Sequence, residues 1–299
     1  MGLRPPAAVL LILALVLLTA GCAGSAAPTG AGAAGQSGTS GGPGTGSARS
    51  TGTSGGPAAG PQSPTSASQL CGPPAAPGRL TTIRAADGVR LAAIEAGSGT
   101  RGVVLIPELG RLGKCGGWDF AVYLAQHGYH ALLFDHRCTG ESACPSGQAA
   151  TELMPDIRGA AGWLRQHGAD RVVLVGASQG GSEALIAATR PPHGVTGVVA
   201  LSADELTTSL ASPPYPGTAV TAVPRLRLPA LFAVARADPY VSVPETRHLV
   251  ARAGSRDKRL TVLADEAAHG WDLVSAGFTG RTRPAFSRTV LAFLHGVTS

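Results

Sequence analysis

The chain has 299 residues, with 42 glycines and 23 prolines but only 14% charged residues, a dilution that an ordinary packed protein does not show. Its net charge of +6 comes from scattered arginines, Lys114 and Lys258 being the only lysines. No basic cluster is interleaved with aromatics, which argues against a nucleic-acid surface, and no nucleic-acid partner is expected.

At the N-terminus Arg4 precedes an apolar run over residues 7–20, and Gly21-Cys22 follows. A positive start, a short apolar stretch and small residues at its end describe a signal peptide. The run is short of the about 20 residues that a membrane span needs. Thr19-Ala20-Gly21-Cys22 resembles a bacterial lipobox, with Thr19 standing where an aliphatic residue is usual. That resemblance implies a leader over residues 1–21, acylation of Cys22 as the mature N-terminus, and a membrane contact through the lipid on the extracytoplasmic side. Residues 22–70 are nearly all Gly, Ser, Ala, Thr and Pro, with Arg49 the only charge. Such a segment buries too little apolar surface to offset its chain entropy, and is expected to be a disordered tether. A Gly/Ser-rich chain of about 48 residues reaches on the order of 35–40 Å. Residues 71–299 have ordinary composition and the length of one domain, expected to be monomeric.

Besides Cys22 the cysteines are Cys71, Cys115, Cys138 and Cys144. An even number in an oxidising compartment permits two disulfides, in three connectivities. The expected pairing joins Cys115 to Cys138, whose loops should lie side by side, and leaves Cys71 for Cys144. There is no C-x-x-C pair or Cys/His cluster with ligand spacing, so no metal site is expected.

The folded part alternates between two periodicities. Residues 80–84 and 90–94 flank Ala86-Asp87-Gly88, a hairpin signal. Residues 102–106 form a continuous apolar run suited to a strand buried on both faces. A helix over 118–127, ended by Gly128, precedes a strand over 129–134. Ile157, Ala160, Ala161 and Leu164 recur at helical spacing within 156–167, which Gly168 stops. Then come a strand at 171–175, a helix at 179–189 and strands at 197–201 and 231–235. A helix over 243–253, a strand at 260–263 and a closing helix at 285–294 complete the chain. Repeated strand–helix alternation predicts an α/β fold: a mostly parallel central sheet with helices on both faces.

Gly176-Ala177-Ser178-Gln179-Gly180 is a G-x-S-x-G sequence. The tether holds two more copies, around Ser40 and Ser54, so the pattern alone carries little. Ser178 differs by context, because it ends a predicted strand and opens a predicted helix. A sharp strand-to-helix turn needs small neighbours and lifts the serine hydroxyl over the sheet edge. A nucleophilic serine needs a base, and the base an orienting acid. Asp238 follows the strand at 231–235, and His269 follows the last predicted strand with small residues on its N-terminal side. Asp204, Glu205, Asp265 and Asp272 are other carboxylates that this reading leaves open for the acid.

On these residues the region from about Leu80 to the C-terminus resembles the α/β-hydrolase superfamily, most of all its small dienelactone-hydrolase-like and esterase-like members. The resemblance implies a Ser178-Asp238-His269 triad, cleavage of carboxylic esters through an acyl-enzyme, and no cofactor. It also implies an oxyanion hole from the N–H groups of Gln179 and Leu109. Pro107-Glu108 stand where the family has His-Gly, which places the Glu108 carboxylate beside the site, to bind a cationic group of the substrate, to modulate the serine or to face solvent. Asp135-His136-Arg137-Cys138-Thr139-Gly140-Glu141-Ser142 resembles the family's D-x-R-G-x-G-x-S loop, with Cys138 in place of Gly. The stretch between residues 201 and 229 is short and carries a proline-rich segment at 212–216, so minimal or no cap domain is expected. An open site suits a small ester or the exposed acyl group of a larger substrate. An acyltransferase, a thioesterase or a peptidase would use the same triad. A non-catalytic lipid-anchored binding module would keep only the fold.

Overall fold

The computed structural model describes residues 66–72, 78–110, 112–205, 217–264, 267–275 and 284–299. The leader, Cys22, the tether through residue 65, the proline-rich segment and Asp265 lie outside these residues. Strands β1 (Gly78–Arg84) and β2 (Arg90–Ala96) form the hairpin, with Leu80 opposite Ile94 and Arg84 opposite Arg90. Gly88 turns it at φ 90°, a conformation that a residue without Cβ adopts without strain. The remaining strands are β3 (Arg101–Ile106), β4 (His130–Phe134), β5 (Arg171–Ala177), β6 (Val195–Leu201), β7 (Ala230–Ala235) and β8 (Lys258–Leu263). They make an eight-stranded sheet in the order β1-β2-β4-β3-β5-β6-β7-β8. β2 meets β4 antiparallel, and every pairing from β4 through β8 is parallel.

The helices are α1 (Ala67–Cys71), α2 (Trp118–Gln126), α3 (Met154–Gln166), α4 (Gln179–Ala188), α5 (Ala219–Ala222), α6 (Val243–Arg252) and α7 (Phe286–Thr298). Strand alternation sends successive side chains to opposite faces, so each face of the sheet has its own core. Val104 and Ile106 of β3 share one core with Leu164 of α3 and Leu185 of α4. Val103 and Leu105 share the other with Trp118 and Phe120 of α2 and Phe293 of α7. Helices on both faces therefore account for the unbroken apolar run of β3.

The helix at 118–127 is found as α2, and the others match their expected positions with small changes at the ends. α3 begins earlier than expected, with Pro155 in its first turn, where a missing N–H costs nothing. Residues 67–70, expected in the tether, are helical: Ser66 and Gln69 form a reciprocal capping box, and Ala67 is buried.

The disulfides correct the expected pairing, for Cys71 bonds Cys115 and Cys138 bonds Cys144. α1 packs in the same core as Trp118, which brings Cys71 to the turn just ahead of α2 that carries Cys115. Cys138 and Cys144 are the two ends of one tight loop, closed by the Cys138 N–H donating to the Ala143 carbonyl at 3.1 Å. Cys138 has φ 62°, so the position where the family resemblance calls for Gly does need left-handed backbone.

The chain order places a reversal at β3. From β3 it proceeds to β4 on one side, then lays β5 on the other. Loops leaving the carboxyl ends of β3 and β5 thus face each other, the place where open α/β sheets bind ligands. Between β6 and β7 the described residues carry only α5 and one further short turn (Val223–Arg225), with no cap domain among them.

Candidate active site

Ser178 stands alone between β5 and α4 with φ 52° and ψ −123°. Positive φ at a non-glycine residue costs on the order of 1–3 kcal/mol and persists where the surroundings over-determine it. Here they do. The Ser178 N–H donates to Leu201 O at 2.8 Å, and its carbonyl accepts from Gly181 N at 2.9 Å. The flanking glycines are steric requirements: a Cβ on Gly176 would lie 1.9 Å from Gly180 O, and one on Gly180 would lie 2.4 Å from the carbonyls of Ile106 and Pro107. The G-x-S-x-G spacing is what lets β5, α4 and the loop after β3 meet at one point.

Asp238 follows β7, and His269 immediately precedes a short turn, Gly270–Leu273. His269 Nδ1 lies 2.9 and 3.1 Å from the two Asp238 carboxylate oxygens. The Asp238 side chain is fully buried and that of His269 is 16% exposed. Burial alone would push the Asp238 carboxyl up. Hydrogen bonds from His269, from the Ser202 hydroxyl and from the N–H groups of Tyr240 and Val241 outweigh it and hold the group below its usual range. The two N–H contacts are 2.9 and 3.0 Å. An acid that stays ionised here fixes the imidazole with Nδ1–H toward Asp238 and leaves Nε2 as the basic nitrogen.

The turn Gly270–Leu273 packs on β5, β6 and β7. A Cβ on Gly270 would stand 3.4 Å from the Ala177 Cβ, so the chain neighbours of His269 and Ser178 lie side by side. Ser178, Asp238 and His269 therefore gather at one end of the sheet. Of the other carboxylates, Glu205 pairs with His248 at 2.7 Å, Asp272 is exposed, and the Asp204 carbonyl accepts from the Ser182 hydroxyl at 2.8 Å.

Gln179 opens α4, where the first N–H groups of a helix lack intrahelical partners. Leu109 lies on the loop after β3 and is 80% exposed. Glu108 is not the solvent-facing group that one reading of the sequence suggests. Its carboxylate accepts from the Trp271 N–H, and burial raises its pKa, with Asp272 adding to the rise and the nearby His269 opposing it. A Cβ on Gly270 would meet Glu108 Oε2 at 2.3 Å, so the glycine beside His269 makes room for this carboxylate.

Two contributors escaped the sequence reading. Ser202, at φ 49° just past β6, accepts from the Gly270 N–H at 3.1 Å while bonding Asp238. Its signal was its position after a strand, the same signal that marks Ser178. Tyr240, 76% exposed, sets its ring edge-on to His269 at 4.8 Å between centroids. Among the described residues no group of three or more His, Cys, Asp or Glu is placed to hold a metal ion.

A sheet in this order, with a strained serine at the turn after its fifth strand, defines the α/β-hydrolase class. The chain belongs to the family described as alpha/beta hydrolase fold, which matches residues 110–277. Solved structures share the fold at low identity. An esterase of Pyrococcus furiosus superposes with a TM-score of 0.60 at 17% identity, covering 74% of this chain and 91% of that one. An esterase of Exiguobacterium antarcticum gives 0.55 at 14%, covering 72% and 99%. The enol-lactonase of Burkholderia xenovorans gives 0.55 at 16%, covering 71% and 99%. No curated protein matches the sequence.

Proposed function

We propose that this chain is a serine hydrolase that cleaves carboxylic esters, held by a lipid on Cys22 at the outer face of the cell membrane. The observation that carries the activity is the His269–Asp238 pair, bonded at 2.9 and 3.1 Å beside the strained Ser178 turn. His269 Nε2 takes the Ser178 proton as Oγ attacks the ester carbonyl. The oxyanion is bound by the N–H groups of Gln179 and Leu109. The alcohol leaves with the proton from His269, giving the acyl-enzyme. Water then attacks the acyl carbon, giving its proton to His269, and the collapse returns that proton to Ser178 as the acid departs. Asp238 stabilises the imidazolium at each stage. The esterases and the lactonase that share the fold support ester chemistry by analogy.

Fluorophosphonate labelling and hydrolysis of short-chain p-nitrophenyl esters test the reading on the full chain and on Ser178→Ala. Turnover should fall by about 10⁴-fold or more in the variant, with labelling abolished. Undiminished turnover in Ser178→Ala, or a folded wild type that neither labels nor hydrolyses, would sink it. The anchor is tested separately: Cys22→Ala should lose palmitate incorporation and leave the membrane fraction.

A further inference from the structure

Beyond the triad, one cluster of buried ionisable side chains reaches the site. Arg137, 1% exposed, donates to Asp156 Oδ1 from Nε at 2.8 Å and Nη2 at 2.6 Å, and to Asp87 at 2.8 and 3.0 Å. His136 stands between two carboxylates, with Nδ1 3.3 Å from Asp156 Oδ2 and Nε2 2.8 Å from Glu183 Oε2. The second approach is an ion pair off the hydrogen-bond axis. Burial works to discharge His136, yet Glu183 and Asp156 outweigh it and push its pKa up to about 10. Glu183 is 0% exposed, and its other oxygen, Oε1, accepts from Gln179 Nε2 at 2.7 Å. The chain of contacts ends on the residue that follows the nucleophile.

Stability alone is a weak account of such a cluster, since well-packed apolar residues often replace buried ion pairs at no loss. Strain at Ser178 supplies a better one. A donor aimed at an oxyanion works by being fixed before the charge forms, and the peptide joining Ser178 to Gln179 follows a residue held at φ 52° and ψ −123°. We propose that Glu183, whose Oε2 lies 2.8 Å from His136 Nε2, is a positioning residue that clamps the Gln179 amide one turn along α4 and so orients the Gln179 N–H for the oxyanion. This rests on the serine-hydrolase reading and adds to it a support that touches neither substrate nor triad.

The test is a double-mutant cycle on the full chain, with Gln179→Met, Glu183→Gln and both together. It reads kcat and KM for p-nitrophenyl acetate, the fluorophosphonate labelling rate and Tm. Gln179→Met keeps the backbone N–H and removes only the clamped amide. Misaligning a donor should cost less than deleting one, so each single variant should lose about 10-fold in kcat, with KM within about twofold. The double variant should lose no more than the larger single loss, because Glu183 acts through Gln179. Labelling should slow in parallel, since phosphonylation builds charge at the same place. Losses that multiply in the double variant, or Gln179→Met at wild-type kcat, would overturn the proposal. Should Glu183→Gln fail to fold, Gln179→Met at its half-exposed position decides alone. A wild type without labelling or turnover removes the hydrolase reading and this proposal together, whereas an active wild type with multiplying losses removes only the proposal.

Discussion

Asp238 is the residue on which the site's geometry converges. It bonds His269, the Ser202 hydroxyl and two backbone N–H groups, and Ser202 in turn bonds the Gly270 N–H. Replacing Asp238 by Asn would keep most of the shape and supply a donor where an acceptor is needed, turning the imidazole to the wrong tautomer. Asp238→Asn should therefore lose about 10⁴-fold in kcat while remaining folded, which ester assays beside a melting curve will check. Ser178, Asp238 and His269 could be proposed from sequence because each follows a strand that its own apolar pattern reveals. Glu183 and His136 were not, since their meaning is a contact between segments 47 residues apart in sequence that no local pattern encodes. Glu108 could be seen as anomalous, but its attachment to the Trp271 N–H depends on how two loops meet.

At the scale of elements, the decisive contact is the crossing of β5, α4 and the loop after β3. A Cβ on Gly176 would overlap backbone, which cannot swing aside as a side chain can. Gly176→Ala should cost at least about 2 kcal/mol of stability by forcing the turn apart, read as a lowered denaturant midpoint together with lost labelling. α6 offers a contrast of another kind. Its Ser242–Glu245 capping box is reciprocal, and Ser242→Ala should cost about 1 kcal/mol of stability, read as a lowered denaturant midpoint. Helices and parallel strands were readable because periodicity is local. α1 had a local signal too, in the Ser66-Ala67-Ser68-Gln69 cap, but the bland composition around it hid the signal. Cysteine pairing had none, because which loops approach is decided by packing: α1 against the core beside Trp118 for Cys71, and the closure of one loop for Cys138.

For the whole molecule, burial of charge sets how stability depends on pH. The folded pKa of His136 is about 10, raised from an ordinary 6.5, so its contribution is complete below 6.5 and is lost as pH climbs towards 10. Asp238 and Asp87 are held below their ordinary range, and their contribution exists above it and fades as pH falls. Tm should accordingly decline between about pH 6.5 and pH 10, and His136→Gln, though less stable overall, should flatten that slope. A slope unchanged in the variant would assign the alkaline loss to other groups.

The Cys71–Cys115 bridge also decides how the domain would bear a mechanical load. β1 is an edge strand, held on one side only, and a pull on the chain ahead of Ser66 would otherwise peel it from β2 one ladder bond at a time. With the bridge in place, tension entering at α1 passes through a covalent bond to residue 115, ahead of α2, and residues 72–114 carry none of it. The hairpin, and the loop that bears Leu109 and Glu108, lie inside that unloaded segment. A pull applied at the N-terminus would load what precedes the bridge and leave the loop beside the serine slack.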